Sequence, residues 1–280
     1  MGRPVVLSNG QMFVGLDESG LVHDFYYPYV GLENLTTARS TQHKIGVWTD
    51  GQFSWTDDGS WSIKLDFEAD ALISDITLQN EALGVRLHLQ DCIDHEYNAL
   101  IRHITIVNLK DVRREIRLFM HQVFEISRDG RADTALYVPD AHYLLDYKGR
   151  YSLLIGGQFD DKTEFDQYAV GNYGIEGKAG TFLDAEDGEL SNNAIEHGGV
   201  DSVIRFSTEI AGGGSKDLDY WIIASSSQTD GERVHFEFKS GAMQDRLRNT
   251  RQKWQEWMGR SGQTIDAHNR RSLQHSLLII

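Results

Sequence analysis

The densest group of residues that could do chemistry lies between His23 and Asn34, in the sequence HDFYYPYVGLEN. Flat aromatic faces pack on the C–H side of a sugar ring, while carboxylates and amides bond its hydroxyls. The segment offers both, so it contains candidate residues for a carbohydrate contact, namely Asp24, Tyr26, Tyr27, Tyr29, Glu33 and Asn34. On residue chemistry alone, a buried strand followed by a Tyr-Pro turn is the favoured interpretation.

Other motifs for catalysis or metal binding are weaker. Residues 184–190 (DAEDGEL) carry carboxylates that could bind calcium at Asp184–Asp187, but the spacing is not that of an EF-hand loop, which favours a solvated turn. The eleven histidines form no His-x-x-x-His or Glu-x-x-His group, which argues against zinc, and His121 alternates with apolar residues as a structural histidine does. No two of the 42 acidic residues are singled out as a catalytic pair by their spacing. We expect neither a metal nor a cofactor.

The elements that would position these residues are mainly β. Alternation of apolar and polar side chains predicts strands through the first 225 residues, for example at 63–67, 85–89, 116–126 and 204–210. Asp50-Gly51 predicts a two-residue hairpin, and residues 100–109, apolar on both faces, predict a central strand. Residues 24–44 and 160–200 do not fit the strand pattern and are expected to form long ordered loops.

A change of period near Ala242 predicts a helix. Met243, Leu247, Trp254 and Trp257 recur at helical spacing, until Gly259 and Gly262 interrupt the pattern. Residues 265–280 then gain hydrophobicity without a Gly, Asn or Pro to close a helix. We therefore predict a large antiparallel β-sandwich over 1–240, a linker helix over 241–262, and the start of a truncated helical domain over 263–280.

Composition narrows the class of partner. A formal net charge of −15, without a compensating Lys/Arg cluster, argues against nucleic acid and against an anionic membrane surface. The single cysteine, Cys92, excludes an internal disulfide. The first ten residues lack the apolar run of a signal peptide, and no stretch approaches a membrane span, so we expect a cytoplasmic protein.

Several ordered motifs together resemble the N-terminal domain of the bacterial and archaeal type of glycoside hydrolase family fifteen, which includes glucoamylases, glucodextranases and some trehalases. The similarity extends over essentially the whole chain. Besides residues 24–34, the motifs are residues 3–10 (RPVVLSNG), 14–17 (VGLD), 45–48 (IGVW), 57–61 (DDGSW), 117–122 (RLFMHQ), 165–167 (FDQ), 174–178 (GIEGK) and 184–190 (DAEDGEL).

The resemblance implies a super-β-sandwich of the galactose-mutarotase-like layout, a linker helix, and then a barrel of helical hairpins. In that family two glutamates of the barrel act as general acid and general base and invert the anomeric carbon. We find neither catalytic motif, so the resemblance implies that both glutamates lie beyond Ile280 and that this chain is itself inactive. It also implies that residues 24–34 contact the barrel and the rim of an α-glucoside site.

Three alternatives stay open on the sequence. The motifs favour the hydrolase, but the chain is also compatible with the N-terminal domain of a disaccharide phosphorylase. It is further compatible with a scaffold that only stabilises the barrel and, ranked below the scaffold, with a stand-alone carbohydrate-binding module. Without a barrel, Leu273, Leu277 and Ile280 would form an exposed apolar patch. We therefore expect residues beyond about 260 to be poorly ordered or covered by a second copy, with self-association through 263–280.

Overall fold

The computed structural model describes residues 4–36, 43–128, 132–175 and 177–260. The described strands are β1 (Val5–Ser8), β2 (Phe13–Leu16), β3 (Val22–Tyr26), β4 (Ile45–Thr49), β5 (Gln52–Trp55), β6 (Ser62–Phe67), β7 (Ser74–Asn80), β8 (Val85–Ile93), β9 (Ala99–Asn108), β10 (Arg114–Val123), β11 (Asp133–Val138), β12 (Tyr143–Lys148), β13 (Tyr151–Phe159), β14 (Gln167–Asn172), β15 (Ile195–Gly198), β16 (Val200–Ile210) and β17 (Ser215–Ser225). Two α-helices follow, α1 (Gln228–Ser240) and α2 (Met243–Arg260), and two 3-10 helices span Ile126–Arg128 and Thr181–Asp187.

The strands form three antiparallel sheets. A nine-stranded sheet has the order β15-β11-β12-β13-β17-β9-β8-β7-β6, and a five-stranded sheet has the order β14-β16-β10-β4-β5. A three-stranded sheet, β1-β2-β3, contains the segment that leads into the aromatic turn. The predicted mainly β, antiparallel sandwich is confirmed.

The alternation within each strand explains how the sheets pack. On β10, Ile116, Leu118 and Met120 lie in the main core, which is shared by residues of the five-stranded and nine-stranded sheets. The intervening Phe119 and His121 point to the opposite, outer face, because successive side chains of a strand alternate. Burial of one apolar face on each sheet supplies the main driving force for this packing.

The nine-stranded sheet is covered on both faces. On β9, Ile104 and Ile106 lie in the main core, while Ile101 belongs to a second cluster together with Trp221 of β17 and Phe238 of α1. The prediction of a central strand over residues 100–109 is confirmed by β9, which pairs with β8 and β17. The hairpin prediction is confirmed too, since Asp50 and Gly51 join β4 to β5 with φ values of 52° and 76°.

Two local predictions differ from the structure. The first α-helix begins at Gln228 rather than near residue 242. The sequence gives little sign of α1, because its narrow buried stripe combines Gly231 and His235 with Val234 and Phe238. Ser227 caps α1 by accepting a hydrogen bond from the Asp230 amide. Residues 160–200, expected to be loop, contain β14 and β15.

Helix α2 lies within the predicted linker helix and continues through Gly259 to Arg260. The domain boundaries at residues 240 and 262 stay predictions. The predicted barrel fragment 263–280, with its expected poor order or self-association, lies outside the described residues.

Candidate functional site

The aromatic segment begins on β3 and continues as a turn that is folded back on the strand. Tyr26 ends β3 and forms an isolated antiparallel bridge with Asn34, and the Tyr27–Pro28 peptide bond is cis. The Leu35 amide donates to the Phe25 carbonyl oxygen over 2.7 Å. These contacts close a loop whose tip, residues 29–32, is exposed to solvent.

Asp24 and Asn34 form the base of this loop. Both are buried, with exposed fractions of 1% and 4%. The Asn34 amide nitrogen donates to Asp24 Oδ1 over 2.8 Å, and Asn34 Oδ1 accepts from the Phe25 amide over 2.9 Å. The hydroxyl and amide of Thr36 also donate to Asn34 Oδ1. These two candidates therefore bond the protein's own backbone and side chains, and they shape the loop from below.

Replacing Asn34 with alanine is expected to lower the free energy of unfolding by about 2 kcal/mol, since the buried Phe25 amide loses its acceptor. Urea denaturation measures the change. Asn34→Asp, which keeps the acceptor oxygen but places a second carboxylate beside Asp24, should be at least as destabilising. A stability change within about 0.5 kcal/mol in both variants would contradict this role.

The three candidate tyrosines have different surroundings. Tyr26 is half-buried and packs edge-to-face on Phe13, with ring centroids 5.8 Å apart. Tyr27 is buried and packs edge-to-face on Tyr151 at 6.4 Å. Tyr29 is 63% exposed. Only Tyr29 therefore presents most of its ring to solvent.

Glu33 lies beside the hairpin that joins β12 to β13. Its carboxylate accepts a hydrogen bond from the Tyr151 hydroxyl, and this bond, with burial, raises the pKa of Tyr151 to about 12. A negative acceptor favours the protonated phenol, which gives the shift its direction. Burial, together with the charge of Asp230, also raises the pKa of Tyr27. Both phenols are therefore hydrogen-bond donors at neutral pH.

The turn and the hairpin enclose a cleft of about 470 Å³. Its lining combines aromatic, cationic and hydroxyl groups: Tyr27, Pro28, Tyr29, Ser127, Lys148, Gly149, Arg150, Tyr151 and Ser226. Such a surface can pack on the apolar face of a sugar ring and bond its hydroxyls. Of the six predicted residues, the cleft includes Tyr27 and Tyr29. Glu33 touches it through Tyr151, Asp24 and Asn34 lie in the base of the loop, and Tyr26 packs elsewhere.

Sequence reasoning missed the hairpin side of this cleft. Lys148-Gly149 reads as a turn, but nothing in its residue types links it to Tyr27, more than a hundred positions earlier. The link comes from the fold, since β12 and β13 pair from Lys148 and Tyr151 onward.

The acidic segment 184–190 contains a hydrogen bond that stabilises its own turn. Asp184 Oδ2 accepts this bond from the Ser191 amide over 2.7 Å.

Within residues 4–36, 43–128, 132–175 and 177–260, no group of three or more His, Cys, Asp or Glu side chains is arranged to hold a metal ion. Neither described α-helix is both long and apolar enough to cross a bilayer.

No protein-family model matches the chain. An uncharacterized glycosyl hydrolase of Methanocaldococcus jannaschii is 24% identical over 208 residues, which is 73% of this chain and 31% of that protein. A bacterial glucoamylase crystallised with acarbose is similar in structure with a TM-score of 0.70 and 13% identity, over 92% of this chain and 37% of the glucoamylase.

Two further structures share the fold at lower similarity. A putative kojibiose phosphorylase from the human microbiome has a TM-score of 0.55 with 8% identity, over 90% of this chain and 35% of its own. A family 92 inverting mannosidase of Bacteroides thetaiotaomicron has a TM-score of 0.50 with 11% identity, over 92% of this chain and 33% of the mannosidase. The chain thus has a glycosidase-like β-domain fold and spans about a third of the length of each of these relatives.

Proposed function

We propose that this chain is the N-terminal β-domain of a glucoamylase-like enzyme that hydrolyses α-glucosides, and that the catalytic residues lie in a companion helical barrel. The observation that carries the proposal is the glucoamylase match, which extends over 92% of this chain but only 37% of the glucoamylase. The glycosyl hydrolase of M. jannaschii supports the same class at the level of sequence. We also propose that the protein is located in the cytoplasm.

In this assignment the cleft between the aromatic turn and the β12–β13 hairpin contributes to the rim of the substrate site. Tyr29 offers an exposed ring on a loop whose base is fixed by Asp24 and Asn34. Arg150 and the Tyr27 hydroxyl supply hydrogen-bond donors in the same cleft. An exposed aromatic on a fixed base contacts a sugar at a low entropic cost, because little motion is lost on binding.

The chemistry itself is assigned to the barrel. An inverting glycosidase needs two carboxyl groups about 6.5–9.5 Å apart, one to protonate the leaving oxygen and one to activate water. In the β-domain the buried carboxylate of Asp91 has a structural partner instead, the guanidinium of Arg102. The β-domain then positions the barrel and shapes the rim, and it takes no part in proton transfer.

The proposal is tested by assaying the 280-residue chain beside the full-length enzyme that contains both this β-domain and the helical barrel, here called the parent enzyme. Both are incubated with maltose, maltotriose, isomaltose and trehalose, with and without phosphate, and glucose and glucose 1-phosphate are quantified. We expect turnover only from the parent, with glucose as the product and no dependence on phosphate. Glucose release by the 280-residue chain would overturn the assignment, and so would a parent inactive on every glucoside.

Within the parent enzyme, Tyr29→Ala is expected to lower kcat/KM for oligosaccharides by about 3–10-fold, since one aromatic contact with the sugar is lost. Val112→Ala is the matched control, because Val112 is 64% exposed, close to the 63% of Tyr29, and lies in the β9–β10 connection. Steady-state kinetics on maltose and maltotriose measure the effect. Equal kcat/KM values for the two variants would remove Tyr29 from the rim.

A second candidate function is the β-domain of a disaccharide phosphorylase, which the match to the kojibiose phosphorylase favours. The same assay separates the two. Phosphorolysis would give glucose 1-phosphate only when phosphate is present, whereas hydrolysis gives glucose in either case.

A further inference from the structure

A buried polar cluster lies on the outer face of the five-stranded sheet, away from the aromatic turn. His121 of β10 and Asp201 of β16 have side chains that are 0% exposed, and His121 Nε2 lies 3.0 Å from Asp201 Oδ2. The antiparallel register of these strands brings the two residues together, since Val123 pairs with Asp201 and His121 with Val203. An imidazole and a carboxylate are thus fixed side by side beneath the surface.

Four polar atoms of this cluster have no hydrogen-bond partner within the described part of the chain. They are His121 Nδ1, Asp201 Oδ1, Trp55 Nε1 and Thr181 Oγ1. Buried polar atoms are nearly always hydrogen-bonded, because folding removes their hydrogen bonds to water and bonds within the protein must replace them. Four such atoms in one cluster leave a set of donors and acceptors that the described residues do not use.

Aromatic rings surround the same place. The rings of Trp55, Phe182 and Tyr173 lie 6.5, 5.6 and 6.3 Å from the imidazole of His121, measured between centroids. Lys44 Nζ lies over both Trp55 and Phe182 and is bonded to Asp57 over 2.7 Å. Apolar ring faces beside unpaired donors and acceptors match a molecule with C–H faces and hydroxyl edges.

The 3-10 helix Thr181–Asp187, here called the roof, covers the cluster. Its two ends are held very differently. At the C-terminal end, the Gly188 carbonyl oxygen accepts from both Arg117 and Arg205 at 3.0 and 2.9 Å. At the N-terminal end, the Thr181 amide donates to Asp201 Oδ2 over 2.6 Å.

Glycine is required at both ends of the roof. Gly180 has a φ of 135°, and a Cβ there would lie 2.6 Å from Asp201 Oδ2. Gly188 has a φ of 89°, and a Cβ there would lie 2.7 Å from Trp48 Nε1. Both values are in the range that favours glycine, so the roof is joined to the sheet through two adaptable positions.

We propose that this cluster is a binding site for a single sugar ring, entered when the N-terminal end of the roof lifts. The ring lies beside Trp55 in the space that Phe182, now in edge-to-face contact with Trp55 at 6.3 Å, leaves when the roof lifts. Its hydroxyls bond the four unpaired atoms, which are His121 Nδ1, Asp201 Oδ1, Trp55 Nε1 and Thr181 Oγ1. The site does not depend on the proposed function, since it is built from other residues than the cleft at Tyr27 and Tyr29.

The test uses the 280-residue chain with D-glucose, D-galactose and myo-inositol as probes, followed by saturation-transfer NMR and calorimetry. We expect at least one probe to bind with a millimolar Kd and to slow amide hydrogen exchange in residues 180–187. Thr181→Val and Trp55→Phe each remove one unpaired polar group and keep most of the side chain. Each should weaken binding about 5-fold, which corresponds to one hydrogen bond of about 1 kcal/mol.

The stability of the two variants provides a second readout. A residue that serves packing alone would lower the melting temperature when altered, whereas removing an unpaired buried polar group leaves it unchanged or raised. Val112→Ala is the binding control. No binding of the three probes up to about 100 mM would overturn the proposal. So would unchanged affinity in both variants, or binding that is lost only in Tyr29→Ala, which would place the sugar in the other cleft.

Discussion

Arg102→Ala is expected to lower the free energy of unfolding by about 3–5 kcal/mol, because it leaves the carboxylate of Asp91 buried without its counter-charge. Arg102 is 2% exposed and Asp91 is 0% exposed. The guanidinium donates to both oxygens of Asp91, over 2.7 and 2.8 Å, and to the Gly20 carbonyl over 2.9 Å. It therefore ties β9 to β8 and to the turn that precedes β3. Urea denaturation at neutral pH measures the loss.

Two further variants separate charge from packing. Arg102→Met with Asp91→Leu removes both charges and keeps most of the buried volume, so it should recover most of the lost stability. Arg113→Ala removes an arginine that pairs with Glu209 while both side chains are more than half exposed, and it should cost less than about 1 kcal/mol. If Arg102→Ala and Arg113→Ala lower the free energy of unfolding by the same amount, the buried ion pair of Arg102 with Asp91 does not contribute more to stability than an exposed one.

The sequence predicts the architecture well because the period of the side chains reports directly on the faces of each element. The strands β6, β8 and β9, the β4–β5 hairpin and helix α2 all follow from local alternation or spacing. Helix α1 does not, since Gly231 packs against Leu154 and His235 is buried, and neither residue type marks an apolar face. A short helix whose buried stripe is partly polar carries little periodic signal.

The candidate sites are predicted only in part, for a different reason. Asp24 and Asn34 have the residue types of a sugar contact, yet the same groups serve equally to bond a backbone, and only burial distinguishes the two roles. The contact of Tyr27 with Tyr151 joins the loop after β3 to β13 of another sheet, and that of His121 with Asp201 depends on the pairing of β10 with β16. Contacts between residues 80 or more positions apart leave no trace in the spacing of a single sequence.

Acidification from about pH 7 to pH 4 is expected to cost roughly 3 kcal/mol of stability through His235 alone. Burial lowers the pKa of His235 from its ordinary 6.5 to about 4. Trp221 donates its indole N–H to His235 Nδ1 over 3.2 Å, and His235 Nε2 lies 3.1 Å from the Ala141 carbonyl oxygen. These two partners select the neutral imidazole with its proton on Nε2. A second proton would face the indole N–H.

The sign follows from proton uptake. Between pH 6.5 and about 4 the unfolded chain binds a proton at residue 235 and the folded chain does not, so stability falls as the pH falls and then levels off. His235→Gln isolates this contribution, because glutamine can accept from Trp221 and donate to Ala141 without titrating. Asp146, whose pKa burial raises well above its ordinary value, titrates in the opposite sense but is common to both proteins.

The measurement is a set of urea denaturation curves for wild type and His235→Gln between about pH 7 and pH 4. At pH 7 the variant is expected to have a lower free energy of unfolding than wild type, because its side chain fills less of the space between α1 and β17. On acidification it is expected to lose about 3 kcal/mol less of this free energy than wild type. Stability curves that stay parallel over this range would show that His235 is protonated in the folded state. The contact between Trp221 and His235 would then be a packing contact rather than a hydrogen bond that fixes the tautomer.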